Sequence, residues 1–163
     1  MAKSRTFHFP KWSLVEGNIR VNVNLNRFEK QFQEAQYWLD NEVMTSMVPF
    51  MPMRDGNFIN ETRLQSSALA GSGKVIAGVP PMGRYLYEGV AMVDKETGKG
   101  PFFIPGVGYR YRKGAELIPT GRPLKYDKTK HPNVKDHWFD AAKEKDGEKW
   151  IKGVKRIAGG GKK

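Results

Sequence analysis

The chain has no cysteine among its 163 residues. That excludes a disulfide framework and thiolate metal sites, and it leaves the redox compartment open. Histidine is scarce, with three residues. No apolar run is long enough to span a bilayer, and the opening residues Met1-Ala2-Lys3-Ser4-Arg5-Thr6-Phe7-His8 lack the apolar stretch of a signal peptide. A soluble intracellular protein with no membrane segment is expected. There is no Cys nucleophile, no Gly-x-Ser-x-Gly elbow and too little His for a triad, so no enzyme is expected.

What is abundant is positive charge. Lys and Arg total 28 against 17 Asp and Glu, a formal +11 that calls for an anionic partner: DNA, RNA or an acidic protein face. At 39% hydrophobic and 28% charged, the chain has apolar surface enough for a core. Its length suits one domain, taken here as 1–163.

Ile19, Val21, Val23 and Leu25 alternate with Arg20, Asn22 and Asn24, the period of a half-buried strand, with residues 1–18 before it as an N-terminal extension. Asn26 stands where an N-cap would, with Glu29 three residues on. Phe28, Phe32, Ala35, Leu39 and Val43 then form one helical stripe ending near Ser46, leaving Arg27, Lys30, Gln33, Glu34 and Asp40 outside. Turn formers divide the middle of the chain, and strands are expected at 58–67, 74–79 and 89–93, with one helical turn around Tyr85-Leu86-Tyr87. Residues 95–131 are dense in Pro and Gly and read as a long loop or arm, its charge supplied by Arg110, Arg112, Lys113, Arg122, Lys125, Lys128 and Lys130. A second helix is expected from Asp136, with Trp138, Ala142, Trp150, Val154 and Ile157 on one face and Gly147 and Gly153 weakening it. Residues 158–163 end the chain as a flexible basic tail. The fold class expected is α+β: a small antiparallel sheet packed against the long helix, plus a C-terminal helix and the arm.

Gly71-Ser72-Gly73-Lys74 has the look of a phosphate loop, but Ala68 replaces the first Gly and Val75 the magnesium-binding Ser or Thr; a plain turn is the better reading. His131 and His137 lie near Asp127, Asp136 and Asp140 without the spacing of any known ligand set, so neither a metal nor a cofactor is expected. Trp138 and Trp150 fit packing on apolar helix faces better than base stacking. The strongest functional signal is the C-terminal charge: Lys143, Lys145, Lys149, Lys152, Lys155, Arg156, Lys162 and Lys163 against Glu144, Asp146 and Glu148. Such a face releases counterions from DNA phosphates, or is simply solvated. Arg110, Arg112, Lys113, Lys152, Lys155, Arg156, Lys162 and Lys163 are the candidate contacts to DNA or a partner.

The block His131-Pro132-Asn133-Val134-Lys135-Asp136-His137-Trp138-Phe139-Asp140-Ala141-Ala142-Lys143, with Lys149-Trp150-Ile151-Lys152-Gly153-Val154-Lys155-Arg156-Ile157-Ala158-Gly159-Gly160 after it, resembles the minor capsid family of long-tailed bacteriophages. That family closes with a similar Trp-aromatic-acid-Ala-Lys helix and a Gly-rich basic tail. Phe32 to Asp40, Val48-Pro49-Phe50 with Asp55-Gly56-Asn57, and Pro80 to Gly89 agree in order, so the likeness spans most of residues 20–160. It departs at Met51-Pro52-Met53-Arg54, which lengthens a link, and over 95–130, which is longer than in the family. The resemblance implies a structural virion protein of the neck, made in the host cytoplasm. It would assemble as a cyclic ring, a hexamer, between head-closure (connector) and tail-terminator proteins, with genomic DNA in the channel. The alternative is a free-standing basic nucleic-acid-binding protein.

Overall fold

The computed structural model describes residues 11–78, 82–106 and 108–159. Four α-helices, α1 (Asn26–Met47), α2 (Asn57–Leu69), α3 (Met82–Glu88) and α4 (Trp138–Ala158), combine with six short strands. The strands are β1 (Trp12–Glu16), β2 (Ile19–Val23), β3 (Val90–Asp94), β4 (Phe102–Ile104), β5 (Gly108–Arg110) and β6 (Leu117–Pro123). They pair only as antiparallel two-stranded ribbons, β1–β2, β3–β6 and β4–β5. The class is α+β, and the long helix α1 packs mainly on α4.

The seam between α1 and α4 is antiparallel, because Trp38 meets Gly153 and Glu42 pairs with Lys149. A Cβ at Gly153 would fall 1.9 Å from the Trp38 ring, so only glycine lets the two backbones approach this closely. The glycine expected to weaken α4 is therefore what seats it. Trp150 lies in the same seam and donates its indole N–H to Ser46 Oγ at 3.3 Å. Met44, Met47, Met51, Ile59, Trp138 and Ala142 complete the core, with the fully buried Trp138 edge-on to Phe58 and Tyr87. Phe28, expected in the apolar stripe, is exposed: it lies in the first turn of α1, opposite which α4 has already ended at Ala158.

Several local expectations are corrected. Asn26 is not the cap; its N–H donates to Asn24 Oδ1, and the helix starts at Asn26 itself. Residues 58–67 are helical within α2, which opens after Gly56 in the left-handed region with the Asn57 N–H on Asp55 Oδ1. Its buried positions Ile59, Thr62 and Ser66 have helical spacing, but two of them are hydroxyl residues that hide the period. Residues 74–78 are not a strand. Ser66 Oγ donates to the Ile76 carbonyl and accepts the Ile76 N–H, and this pair does locally what a neighbouring strand would do; Val79 lies outside the described residues. The expected strand at 89–93 appears as β3, and the helical turn around Tyr85 extends to α3. The N-terminal extension contributes β1. The arm is not structureless: it contains β4, β5 and β6, and β6 tolerates Pro119 and Pro123 because its other edge is unpaired. Helix α4 begins at Trp138 rather than Asp136, since His137 takes a left-handed φ of 45°.

The seam makes opposite predictions for two glycines of one helix. Gly153→Ala should lower stability by about 1–3 kcal/mol, overpacking outweighing the gain in helix propensity. Gly147→Ala, whose new methyl would meet only Lys143 Cγ at 3.7 Å, should raise it by about 0.5–1 kcal/mol. Urea midpoints of the two variants check both signs.

Candidate nucleic-acid and assembly interface

Lys145, Lys149, Lys152 and Arg156 recur at spacings of four, three and four on α4, so they form one stripe along the flank of the seam. Lys149 Nζ reaches Glu42 at 2.7 Å, a bond that holds the ammonium pKa above its usual value. Lys152 lies 3.5 Å from Glu148, and Lys145 stands over the Phe50 ring at 5.8 Å. Trp38, Lys149, Lys152, Gly153 and Arg156, with Glu148, line a shallow groove of about 500 Å³. The expected contacts Lys152 and Arg156 thus meet there, joined by Lys149, which the helical spacing from Lys145 could have revealed. Lys155 is exposed but turned about 100° from Arg156 around the helix, away from the groove. Three cations against the carboxylates of Glu42 and Glu148 leave the groove only weakly positive.

The arm residues do something else. Arg112 Nε bonds Asp94 Oδ2 at 3.1 Å and its terminal nitrogen bonds Glu96, so this guanidinium clamps the turn after β3. Its bond holds the Asp94 carboxyl below the usual range, against the opposing effect of desolvation, and Asp94 also accepts the Glu96 N–H. Tyr111 donates to the Met92 carbonyl at 2.9 Å. Arg110, at the end of β5, and Lys113 are exposed, and this ribbon is not packed extensively on α4. Lys162 and Lys163 lie outside the described residues.

The Gly71-Ser72-Gly73 turn does cradle an anion, but the anion belongs to the chain. Asp40 Oδ2 accepts the N–H groups of Gly71 at 2.7 Å and Gly73 at 3.1 Å, while Oδ1 accepts from Gln36 Nε2 at 2.8 Å. Asp40, expected on the outer face of α1, is buried for this reason. A phosphate entering this turn would meet a carboxylate already in place. His131 Nδ1 lies 2.8 Å from the Met51 carbonyl oxygen, and His137, whose N–H donates to the Tyr87 carbonyl, shapes the start of α4. Among the described residues, no three His, Asp or Glu side chains converge on a point where a metal ion would bind.

Among the described residues, two apolar surfaces are open to solvent. The first is the β1–β2 ribbon, where every residue of β1 is exposed and the register pairs Trp12 with Val23, Leu14 with Val21 and Glu16 with Ile19. The second is a cleft of about 760 Å³ between α1, residues 73–78, α3 and the start of α4, walled by Leu39, Val43, Val75, Ala77, Tyr85 and Phe139, with Arg84 among its polar lining. The β4–β5 ribbon adds exposed Phe102.

Removing the anion of the glycine turn, with Asp40→Ala, should strand two backbone donors and cost about 1–3 kcal/mol in a urea titration. A separate alkaline effect comes from Tyr126, whose hydroxyl donates to the Leu86 carbonyl and whose burial pushes its pKa up to about 12. Its folded pKa exceeds the unfolded value near 10, so its contribution is intact below pH ~10 and is lost as pH rises through ~12. The fall in urea midpoint over that interval should be smaller in Tyr126→Phe, with Tyr87 and Tyr111, also raised by burial, supplying what remains.

No protein-family model, no curated protein and no solved structure matches this chain.

Proposed function

We propose that the chain is a structural subunit of the head–tail junction of a long-tailed bacteriophage. In this reading it is a neck or tail-completion protein that closes into a ring of six copies around the DNA channel, between head-closure and tail-terminator components. Its work is to hold a joint, with no covalent chemistry. The carrying observation is the mismatch between a well-packed helical interior and two two-stranded ribbons, β1–β2 and β4–β5, that expose Trp12, Leu14, Ile19 and Phe102. An isolated two-stranded ribbon is marginal in water, and exposed apolar patches of this kind belong to interfaces. The resemblance to the phage minor capsid family supports the same reading, and the residues that carry it, Trp138 and Trp150 above all, are core and seam residues of the subunit.

Native mass spectrometry of the full chain should give one closed species at six times 18.5 kDa. A monomer persisting to the highest soluble concentration would contradict the ring.

The second reading, a free-standing nucleic-acid-binding protein, is favoured by the cationic stripe on α4. The two separate on salt dependence. With Glu42 and Glu148 neutralising much of the groove, duplex DNA affinity of the subunit should fall only about fourfold between 50 and 200 mM salt, as for one phosphate contact. A fall of roughly fortyfold, as for three contacts, would favour the nucleic-acid binder.

A further inference from the structure

We infer that the subunits join head to tail, with the apolar face of the β1–β2 ribbon of one copy seated in the α1–α3–α4 cleft of the next. This rests on the ring reading and names its contact. Side chains two apart on a strand share a face, and so do directly paired residues across a ribbon. The register therefore gathers Trp12, Leu14, Ile19, Val21 and Val23 on one face and leaves Ser13, Val15, Arg20 and Asn22 on the other. On its own chain this face is largely open: Ile19 is 67% exposed and Leu14 51%.

Three observations select a second copy as the occupant. The chain carries one protruding apolar face and one concave apolar cleft, two different patches, as a head-to-tail ring requires; a two-fold dimer would need one self-complementary patch. The cleft, at about 760 Å³, has room for several large side chains, which fits a ribbon face better than a single inserted residue. The charges also agree: Glu16 is the one acidic residue on the ribbon's apolar face, exposed Arg84 lines the cleft, and the carboxylate in the cleft lining, Asp40, is buried and already taken by the Gly71 and Gly73 N–H groups. Phe139, in the first turn of α4, is 36% exposed and stacks on the Trp150 ring of its own chain, so it presents a fixed aromatic wall to the incoming face.

The test uses full-length chains in native mass spectrometry, with two variants placed on opposite sides of the contact. Leu14→Asp alters the ribbon face, at a side chain that is 51% exposed and lies outside the helical core. Phe139→Asp alters the cleft and gives up the stack on Trp150, at a first-turn position where an acidic residue suits the helix dipole. Circular dichroism verifies that each is folded. Each alone should be monomeric at concentrations about tenfold above those at which the wild-type ring forms. An equimolar mixture should yield a one-to-one heterodimer and nothing larger, since each pair of variants retains one intact ribbon and one intact cleft. Glu16→Arg and Arg84→Glu should each weaken assembly several-fold, and the double swap should restore it.

Rings formed by both single variants as by wild type would overturn the inference and leave the ring reading standing. Monomeric variants whose mixture stays monomeric would also overturn it, because an intact ribbon and an intact cleft would then be present together without joining. A wild-type chain that never assembles would remove the ring reading, and the inference with it.

Discussion

Trp38 can lie against α4 only because position 153 has no side chain, and the geometry of the helical pair follows from that contact. It fixes the separation and the antiparallel register of α1 and α4, which in turn bring Lys149 to Glu42 and the Trp150 indole to Ser46. The same alignment leaves the first turn of α1 beyond the end of α4 and opens the shallow groove in which Lys152 and Arg156 meet. At the other end of the seam, Trp138 is enclosed by Phe58 and Tyr87, which ties α2 and α3 to the pair. Tyr126 and Arg112 then fasten the long polar stretch to α3 and β3.

Set beside this interior, the periphery is unfinished. The helices close around a packed core, and Asp40 even supplies the anion for a glycine turn that would otherwise invite a foreign one. The ribbons do not share that completeness: each has two strands, and open edges and apolar side chains stand in solvent. Apolar surface left uncovered costs about 25 cal/mol per Å² relative to burial, so a chain carrying this much of it has a standing drive toward a partner. The positive charge is also less available than its sum suggests, since Lys149, Lys152 and Arg112 face carboxylates of their own chain. These features favour a subunit whose apolar contacts build an assembly and whose charge plays a secondary part.

The two long helices and the strand β2 were legible in the sequence because each carries a clean period over many residues, or a strict alternation over a few, although β2 is largely exposed rather than half-buried as its alternation suggested. Helix α2 was not, since Thr62 and Ser66 take buried positions where a hydrophobicity pattern looks for apolar residues. The paired strands within 95–131 were hidden by Pro and Gly, which two-stranded ribbons accept at unpaired edges. Gly153 was read as a weakness of α4 because propensity is local, whereas its role depends on a tryptophan 115 positions earlier. Of the candidate contacts, Lys152 and Arg156 came together as the helical spacing allows. Arg112 could not be assigned its clamp from sequence, because Asp94 and Glu96 reach it only through the fold. The unpartnered ribbon face follows from register, and register needs the turn at Gly17 that pairs β1 with β2.

Cryo-electron microscopy of the assembled full-length chain tests the head-to-tail ring most directly. The proposed contact predicts a closed ring in which the α1–α4 seam of every subunit is unchanged and the face bearing Trp12, Leu14 and Val21 rests in the next subunit's cleft beside Arg84 and Phe139. Particles no larger than one chain, or a ring whose clefts stay open while the ribbons point into solvent, would contradict it.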